Sequence, residues 1–383
     1  MSVQIDYLNL FGIPLDKECV IALGLFVISM IIQIIYYLKY TKILFHVNKQ
    51  PIKEKFPVSV IICARNEAVS LRKNLPVILE QDYPDFEVIV VNDCSEDDTE
   101  MVIAELRQKY KHLRSTNIVK DKKFTHGKKL ALTIGIKSAQ HEWLILTDAD
   151  CKPVGKNWLY NFQRNFSYDT SIVLGYGGYR RRKGMLDKII RFDTLFIAMQ
   201  YLSKAISGKP YMGVGRNMAY RKSLFINSKG FAGHSHLLSG DDDLFINKVA
   251  NAENTKVEID KGSFTVSEPV NSWKNWFYQK KRHLTTFSHY KPKTRYSLGT
   301  ELISRFMFYT CFVVLLIMNQ ILPLIFGIFG LRLILQLVVF KSIMKRLNEK
   351  YLLLISPIMD VLIPFINFIV IISNNLGSKN NRW

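Results

Sequence analysis

Trp143-Leu144-Ile145-Leu146-Thr147-Asp148-Ala149-Asp150-Cys151 changes character abruptly along its length. Trp143 to Leu146 read as a buried strand of a parallel sheet, and two aspartates one residue apart follow where that strand runs out. In open α/β sheets, ligands bind beyond the carboxyl ends of the strands. Carboxylates this close repel each other unless a cation sits beside them, and hard oxygen ligands suit Mg²⁺ or Mn²⁺. Such an ion commonly completes its shell with substrate phosphates, so the pair points to a nucleotide diphosphate. A strand-end turn whose aspartates cap the next helix is the plainer alternative, and the neighbouring sequence has to decide.

Upstream, Val58-Ser59-Val60-Ile61-Ile62-Cys63 is compact and β-branched, and the polar turn Arg65-Asn66-Glu67 ends it. Leu71, Leu75, Ile78 and Leu79 then recur at helical spacing within 70–81. A second strand over 86–91 closes in Asn92-Asp93-Cys94-Ser95, where Ser95 or Asp97 can cap a helix over 99–110. Thr125-His126-Gly127-Lys128-Lys129 opens the helix that leads into the Trp143 strand. A glycine turn with lysines at a helix start can hold phosphate or base edges, a solvated basic turn being the alternative.

Repetition of strand, polar turn and helix predicts a right-handed parallel α/β sheet. Polar residues at successive strand ends then face one crevice, and Glu67 and Asp93 suit hydrogen bonds from a base or ribose. Each also serves as a turn or cap residue. No G-x-G-x-x-G or P-loop lysine appears, which argues against dinucleotide binding and ordinary ATPase chemistry.

The net charge of +20, from 52 basic against 32 acidic residues, suggests nucleic acid, an anionic membrane surface or phosphorylated substrates. Hydropathy separates these. The run 20–38 is apolar, uncharged and long enough to span a bilayer, and its length and flanks are not those of a cleaved signal peptide. Apolar sequence returns in 306–322, 324–340 and 352–373, with Pro323 between the first two runs and Lys341, Lys345, Arg346 and Lys350 between the second and third. The first two runs are short and fit a tight hairpin or a partly re-entrant pair. Asp360 is costly in lipid, so it is expected to face protein or water. Lys39, Lys42, Lys49, Lys53 and Lys55 follow the first span, which places the middle of the chain in the cytosol. The charge is then accounted for by lipid and phosphate, without nucleic acid. Five cysteines without C-x-x-C spacing suggest neither a disulfide framework nor zinc.

V-S-V-I-I-x-x-R-N-E, V-I-V-V-N-D-x-S-x-D-x-T, G-K-K-x-A-L and L-T-D-A-D, in this order and at these intervals, resemble a family-2 inverting glycosyltransferase of GT-A fold. The resemblance implies that Asp93 contacts the nucleobase, with Arg65, Glu67 and Lys128 in the same nucleotide-sugar pocket. It implies that Asp150 ligates the divalent metal and that Asp148 flanks the diphosphate and shares the ion. Gly213-Val214-Gly215-Arg216-Asn217 matches the family's glycine-rich segment before a strand, which assigns Gly215, Arg216 and Asn217 to the acceptor and diphosphate side. Gly240-Asp241-Asp242-Asp243-Leu244 resembles the E-D-x-D-L signature, with glycine in place of the glutamate. The catalytic base then falls on Asp241, or on Asp242 because the aspartate run leaves the register soft; a helix cap at Ser239 or Asp241 is the alternative.

Gln279-Lys280-Lys281-Arg282-His283 resembles the Q-x-x-R-W of membrane-integrated members, in which Gln279, Arg282 and His283 would meet diphosphate or acceptor. Histidine replaces the tryptophan, which weakens the case for a long-polymer synthase. A basic helix face on anionic lipid is the other reading of this segment. Over 185–206, Ile189, Ile190, Leu195, Phe196, Met199 and Leu202 near helical spacing fit either an interfacial helix or a core helix.

The fold expected is α/β, a GT-A domain with a mainly parallel sheet and transmembrane helices at both ends. Residues 1–55 form an anchor and linker, 56–295 the cytosolic catalytic domain, and 296–383 a region of two or three spans. The function expected is transfer of a sugar from a nucleotide-sugar, UDP-linked by family habit, to a hydroxyl of a lipid-linked or extending glycan at the inner membrane. A processive synthase and exporter, and a non-catalytic scaffold that binds nucleotide-sugar, are the alternatives.

Overall fold

The computed structural model describes residues 8–10, 13–47, 54–119, 127–237 and 239–376. Its centre is a seven-stranded sheet in the order Thr255–Val257, Ile172–Leu174, Met218–Arg221, Trp143–Asp148, Val58–Ala64, Phe86–Asp93, Leu113–Ile118. The last four strands are mutually parallel. Met218–Arg221 runs antiparallel to both its neighbours, so the sheet is mainly rather than wholly parallel.

The Val58 strand shows why both sides of the sheet are covered. Successive side chains point to opposite faces. Val58, Val60 and Ile62 pack with Leu71 and Leu75 of helix Ala68–Leu79, whereas Ile61 packs with Ala131, Leu132 and Ile136 of helix Lys128–Ser138. The second helix lies so close that a Cβ on Gly135 would come within 2.7 Å of Ile61 Cγ2. Chain order reverses between the Val58 and Trp143 strands, and Cys63 is paired with Asp148 at that point. The crevice of a doubly wound sheet opens at such a reversal.

A smaller sheet of Cys151–Pro153, Thr265–Ser267 and Gly177–Tyr179 stands beside this crevice. Helix Met185–Ile206 is largely buried, with Phe196 and Phe192 near Phe340 and with Tyr40 edge-on to Phe196. It is therefore a core helix at the junction of the sheet domain and the apolar helices.

Among the described residues, four helices are long and apolar enough to cross a membrane: Lys17–Phe45, Pro292–Met318, Leu322–Arg346 and Ser356–Asn374. The two middle helices extend beyond their apolar runs and follow one another across a short turn, as the hairpin reading expects. Asn319, at φ 56°, ends the first of them, and Pro323 sits in the first turn of the second. Asp360 faces protein. Its carboxylate meets Arg305 at 3.3 Å, Tyr309 at 2.7 Å and Arg332. Lys49, Lys53, Thr125, His126 and Trp383 lie outside the described residues.

Candidate active site

The turns after the first two strands are stitched together. The Asn66 amide donates to Ser95 Oγ (3.0 Å), the Glu96 amide to Asn66 Oδ1 (2.8 Å) and the Ala68 amide to Asp97 Oδ2 (3.1 Å). This places Arg65, Glu67 and Asp93 on one rim. Asp93 is fully buried, and no described residue donates to either of its carboxylate oxygens. A buried carboxylate in that state suits a ligand with N–H groups. Glu67 begins the helix, and its amide donates to Thr99 Oγ1 (2.9 Å). Burial raises its carboxyl, against a hydrogen bond from Ser70.

Lys128 reaches across the crevice. Its Nζ lies 2.7 Å from Asp148 Oδ1 and 3.2 Å from Asp241 Oδ2. Burial works against the ammonium, but Asp148 and Asp241 outweigh it and hold Lys128 well above the usual lysine range. Burial would likewise raise Asp241, yet Lys128 brings it below the usual carboxylate range. At Asp150, burial followed by repulsion from Asp148 outweighs the pull of Arg216 and pushes the carboxyl up to about 6. A divalent ion would relieve that repulsion.

Asp148, Asp150 and Cys151 present ligand atoms within 4.8 Å of one another. The Cys151 thiol is buried and lies 2.8 Å from Ser267 Oγ. The two carboxylates are hard ligands that fit Mg²⁺ or Mn²⁺, and the thiol belongs to the packing behind them.

The aspartate run divides its work by direction. Gly240 precedes it at φ 100°, and a Cβ there would meet Leu244 Cδ1 at 2.6 Å. Glutamate could not adopt this backbone without strain. Asp241 turns to Lys128. Asp242 accepts from the Gly215 amide (2.8 Å) and caps helix Asp243–Val249 through the Asp243 amide (2.7 Å). Burial, then Asp241 and Asp243, push it up to about 7. Asp243 accepts from Thr286 Oγ1 (2.5 Å) and Tyr290 OH (2.7 Å). The cap of this helix is thus Asp242, not Ser239 or Asp241.

Gly215 brings its amide to the site, and the Arg216 guanidinium lies 4.3 Å from the centre of the Tyr179 ring. Asn217 is a correction. Its side chain is fully buried, donating to Tyr176 O (2.7 Å) and Ser263 O (2.9 Å) and accepting from Trp158 Nε1 (2.9 Å). It holds the framework together and cannot meet an acceptor.

Residues 59–228 match the model of Glycosyl transferase family 2. Over those residues the chain is similar to the family 2 glycosyltransferases. It is similar to the Bacillus subtilis protein described as "Probable glycosyltransferase YdaM", 28% identical over 242 residues, 61% of this chain and 56% of that one. It is also similar to Staphylococcus aureus poly-beta-1,6-N-acetyl-D-glucosamine synthase, 28% identical over 167 residues, 42% of this chain and 39% of that one. The matched region thus spans little more than half of the first relative and about two fifths of the second. Mannosyltransferase PcManGT from Pyrobaculum calidifontis, solved with GDP-Man and Mn²⁺, shares the GT-A fold. It has a TM-score of 0.58 at 17% identity, over 86% of this chain and 98% of that one.

The same domain borders a cavity of about 290 Å³ whose wall includes Asp242 and residues of the apolar helices. Gln279 and His283 line it, and Gln279 Nε2 approaches Tyr179 OH at 3.5 Å. Arg282 is off the cavity wall. The buried cation there is Lys280, at 2.8 Å from both carboxylate oxygens of Asp193. Lys281 donates to Ser373 O (3.2 Å) and Oγ (3.0 Å) of the last helix, so Lys280 and Lys281 both dock on protein. The Asp193–Lys280 pair was absent from the sequence reading. The only signal in the sequence is an acid on the apolar helix 185–206, and its partner lies 87 residues away.

Proposed function

We propose that this chain is a membrane-bound, cation-assisted inverting glycosyltransferase that moves a sugar from a nucleotide-sugar to an acceptor hydroxyl. The observation that carries this reading is Lys128 joining Asp148 to Asp241, which sets the phosphate-side and acceptor-side carboxylates in one crevice. Asp148 and Asp150 would hold Mg²⁺ or Mn²⁺, and a bound ion neutralises charge on the departing diphosphate. Asp93 accepts from the nucleobase, with Glu67 and Arg65 along the same rim. Lys128 and Arg216 add positive charge beside the leaving group.

Asp241 takes the proton from the acceptor hydroxyl as its oxygen attacks the anomeric carbon. The bond from that carbon to the phosphate oxygen breaks on the opposite face, and the nucleoside diphosphate leaves. Both oxygens of Asp242 already accept backbone amides, which favours Asp241 as the base. The donor is read as UDP-linked, and the lysines after the first apolar run support a cytosolic side for the domain.

The test is donor turnover by the full chain in lipid, with UDP-, GDP- and CMP-sugars, with Mn²⁺, Mg²⁺ or EDTA. The expected result is turnover of one donor with metal and silence in Asp150→Ala and Asp241→Asn. Turnover unchanged in EDTA would overturn the metal reading. Binding of a donor without hydrolysis or transfer under any of these conditions would favour a scaffold.

A further inference from the structure

The outward face of helix Leu322–Arg346 changes chemistry at its last turns. Leu331, Ile334 and Val338 are each more than half exposed, at the three- and four-residue spacing that keeps side chains on one face. Lys341 and Lys345 continue that spacing and are exposed too. Beyond the turn that follows, Leu354 and Ile358 begin a second exposed apolar stripe, which runs on through Leu362 and Phe365 of helix Ser356–Leu376. Two apolar stripes therefore end at one turn, and cations stand over it.

A cleft of about 470 Å³ opens there, walled by Lys341, Lys345 and Lys350, by Lys261 of the sheet domain, and by Met344 and Leu353. No carboxylate among the described residues lies within ion-pair distance of any of the four lysines. Glu349 is the one acid on the wall, and it is buried against Arg191 and Tyr176 OH, the latter at 2.9 Å. Asp260, next to Lys261, is likewise taken up by Arg164 at 3.1 Å and Arg346 at 3.7 Å. The turn itself is fixed. Arg191 donates to Lys350 O (3.0 Å), Asn348 and Tyr351 hold φ of 57° and 65°, and the Arg181 guanidinium lies 3.9 Å from the centre of the Tyr351 ring.

Lysines gathered without counter-charge favour an anion. A free phosphate would use the lysines and gain nothing from the hydrocarbon beside them. A phospholipid uses both, because its acyl chains cover the apolar stripes and leave water. Basic pockets between membrane helices on the cytosolic side suit anionic head groups, and a choline head group would bring its own positive charge against the lysines. We propose that this cleft holds the phosphate of an anionic phospholipid, whose acyl chains lie along Ile334 and Val338 and along Leu354 and Ile358. The proposal rests on the membrane-bound reading and is independent of the transfer chemistry.

The experiment is native mass spectrometry of the full chain in a neutral detergent, with phosphatidylglycerol and phosphatidylcholine offered together. Phosphatidylglycerol is expected to be retained in preference. Lys341→Gln combined with Lys345→Gln should weaken its binding roughly 30-fold, the joint electrostatic contribution of two lysines beside an anionic lipid. Lys42→Gln combined with Lys293→Gln removes the same charge from other exposed helix ends and should leave binding nearly unchanged. All four side chains are exposed, and an unchanged unfolding midpoint checks that both double variants are folded. Equal losses in the two double variants, or equal retention of the two lipids, would mean diffuse surface charge and overturn the proposal. Displacement of the lipid by inorganic phosphate would also overturn it, in favour of a site for the free anion. A chain that stays dispersed without detergent would overturn the membrane-bound reading and this site together, whatever the donor turnover.

Discussion

Lys128 and Asp241 meet at 3.2 Å although 113 residues separate them, and the same ammonium holds Asp148 at 2.7 Å. A carboxylate at a strand end and one in the loop before helix Asp243–Val249 are thereby kept in one crevice without mutual repulsion. Replacing Lys128 with Met removes that charge and leaves the anions facing one another. Donor turnover is expected to fall by roughly 100-fold, the usual cost of losing one group that stabilises developing charge. Lys128→Arg should recover part of it. Initial rates in lipid check this, and an unchanged rate would remove Lys128 from the site.

The pH profile separates the two candidate bases. A base acts unprotonated, so its activity is lost as pH falls through its pKa. Asp241 lies below the usual carboxylate range because of Lys128, whereas Asp242 lies at about 7. With Asp241 as the base, kcat/KM should stay flat through neutrality and decline only in acid. Asp242→Asn should leave that limb in place. A limb near neutrality that disappears in Asp242→Asn would transfer the role to Asp242.

Asp93 provides a test confined to donor binding. Its buried carboxylate has no described partner, and a nucleobase N–H would satisfy it. A hydrogen bond to a charged group contributes about 1.5–3 kcal/mol, which is on the order of tenfold or more in affinity. Asp93→Asn should therefore raise the donor KM by about that factor and leave kcat nearly unchanged. An equal fall in kcat with no change in KM would mean that Asp93 acts elsewhere.

What could be read from the chain follows the range of the forces involved. Strand ends at Glu67, Asp93 and Asp148 were legible because β-branched runs break abruptly into polar turns, and a doubly wound sheet gathers such turns along one edge. Asp241 was legible through its motif, and Gly240 has its reason in a backbone angle that no other residue adopts easily. Asn217 reads as a site residue from its place in the glycine-rich segment, whereas its own direction is set by Trp158 and Ser263 far along the chain. Within Gln279 to His283, the sequence could not show which cation turns inward. That phase is set by Asp193 and Ser373, which only the folded chain brings near. The antiparallel strand Met218–Arg221 was likewise hidden, because direction depends on partners rather than on composition.

The Asp193–Lys280 pair should matter for the acceptor and not for the donor. It lines the cavity on the side away from Asp148 and Asp150. Lys280→Met leaves Asp193 as a poorly solvated anion in the wall, and Asp193→Asn leaves the ammonium instead. Each is expected to raise the acceptor KM while the donor KM and the acceptor-free hydrolysis rate hold. The double variant Asp193→Asn, Lys280→Met should recover part of the loss if pairing is the cause. Equal losses toward donor and acceptor would instead indicate a general disturbance of the fold.

Arg332 and Asp360 give the last prediction, on stability. Both are almost wholly buried among the apolar helices, where Arg332 also meets Gln336 Oε1 (2.8 Å), Tyr309 OH (2.9 Å) and Gln33. Arg305 joins the same carboxylate from the neighbouring helix at 3.3 Å. Removing one partner of a buried pair leaves an uncompensated charge and costs about 3–5 kcal/mol. Asp360→Leu strands two guanidinium groups at once and should lower the unfolding midpoint in detergent more than Tyr309→Phe, which removes two hydrogen bonds to the pair but leaves both charges paired. Arg332→Leu leaves Asp360 with Arg305 and should fall between them. If all three variants unfold together with the wild type, the network is not what holds these helices in register.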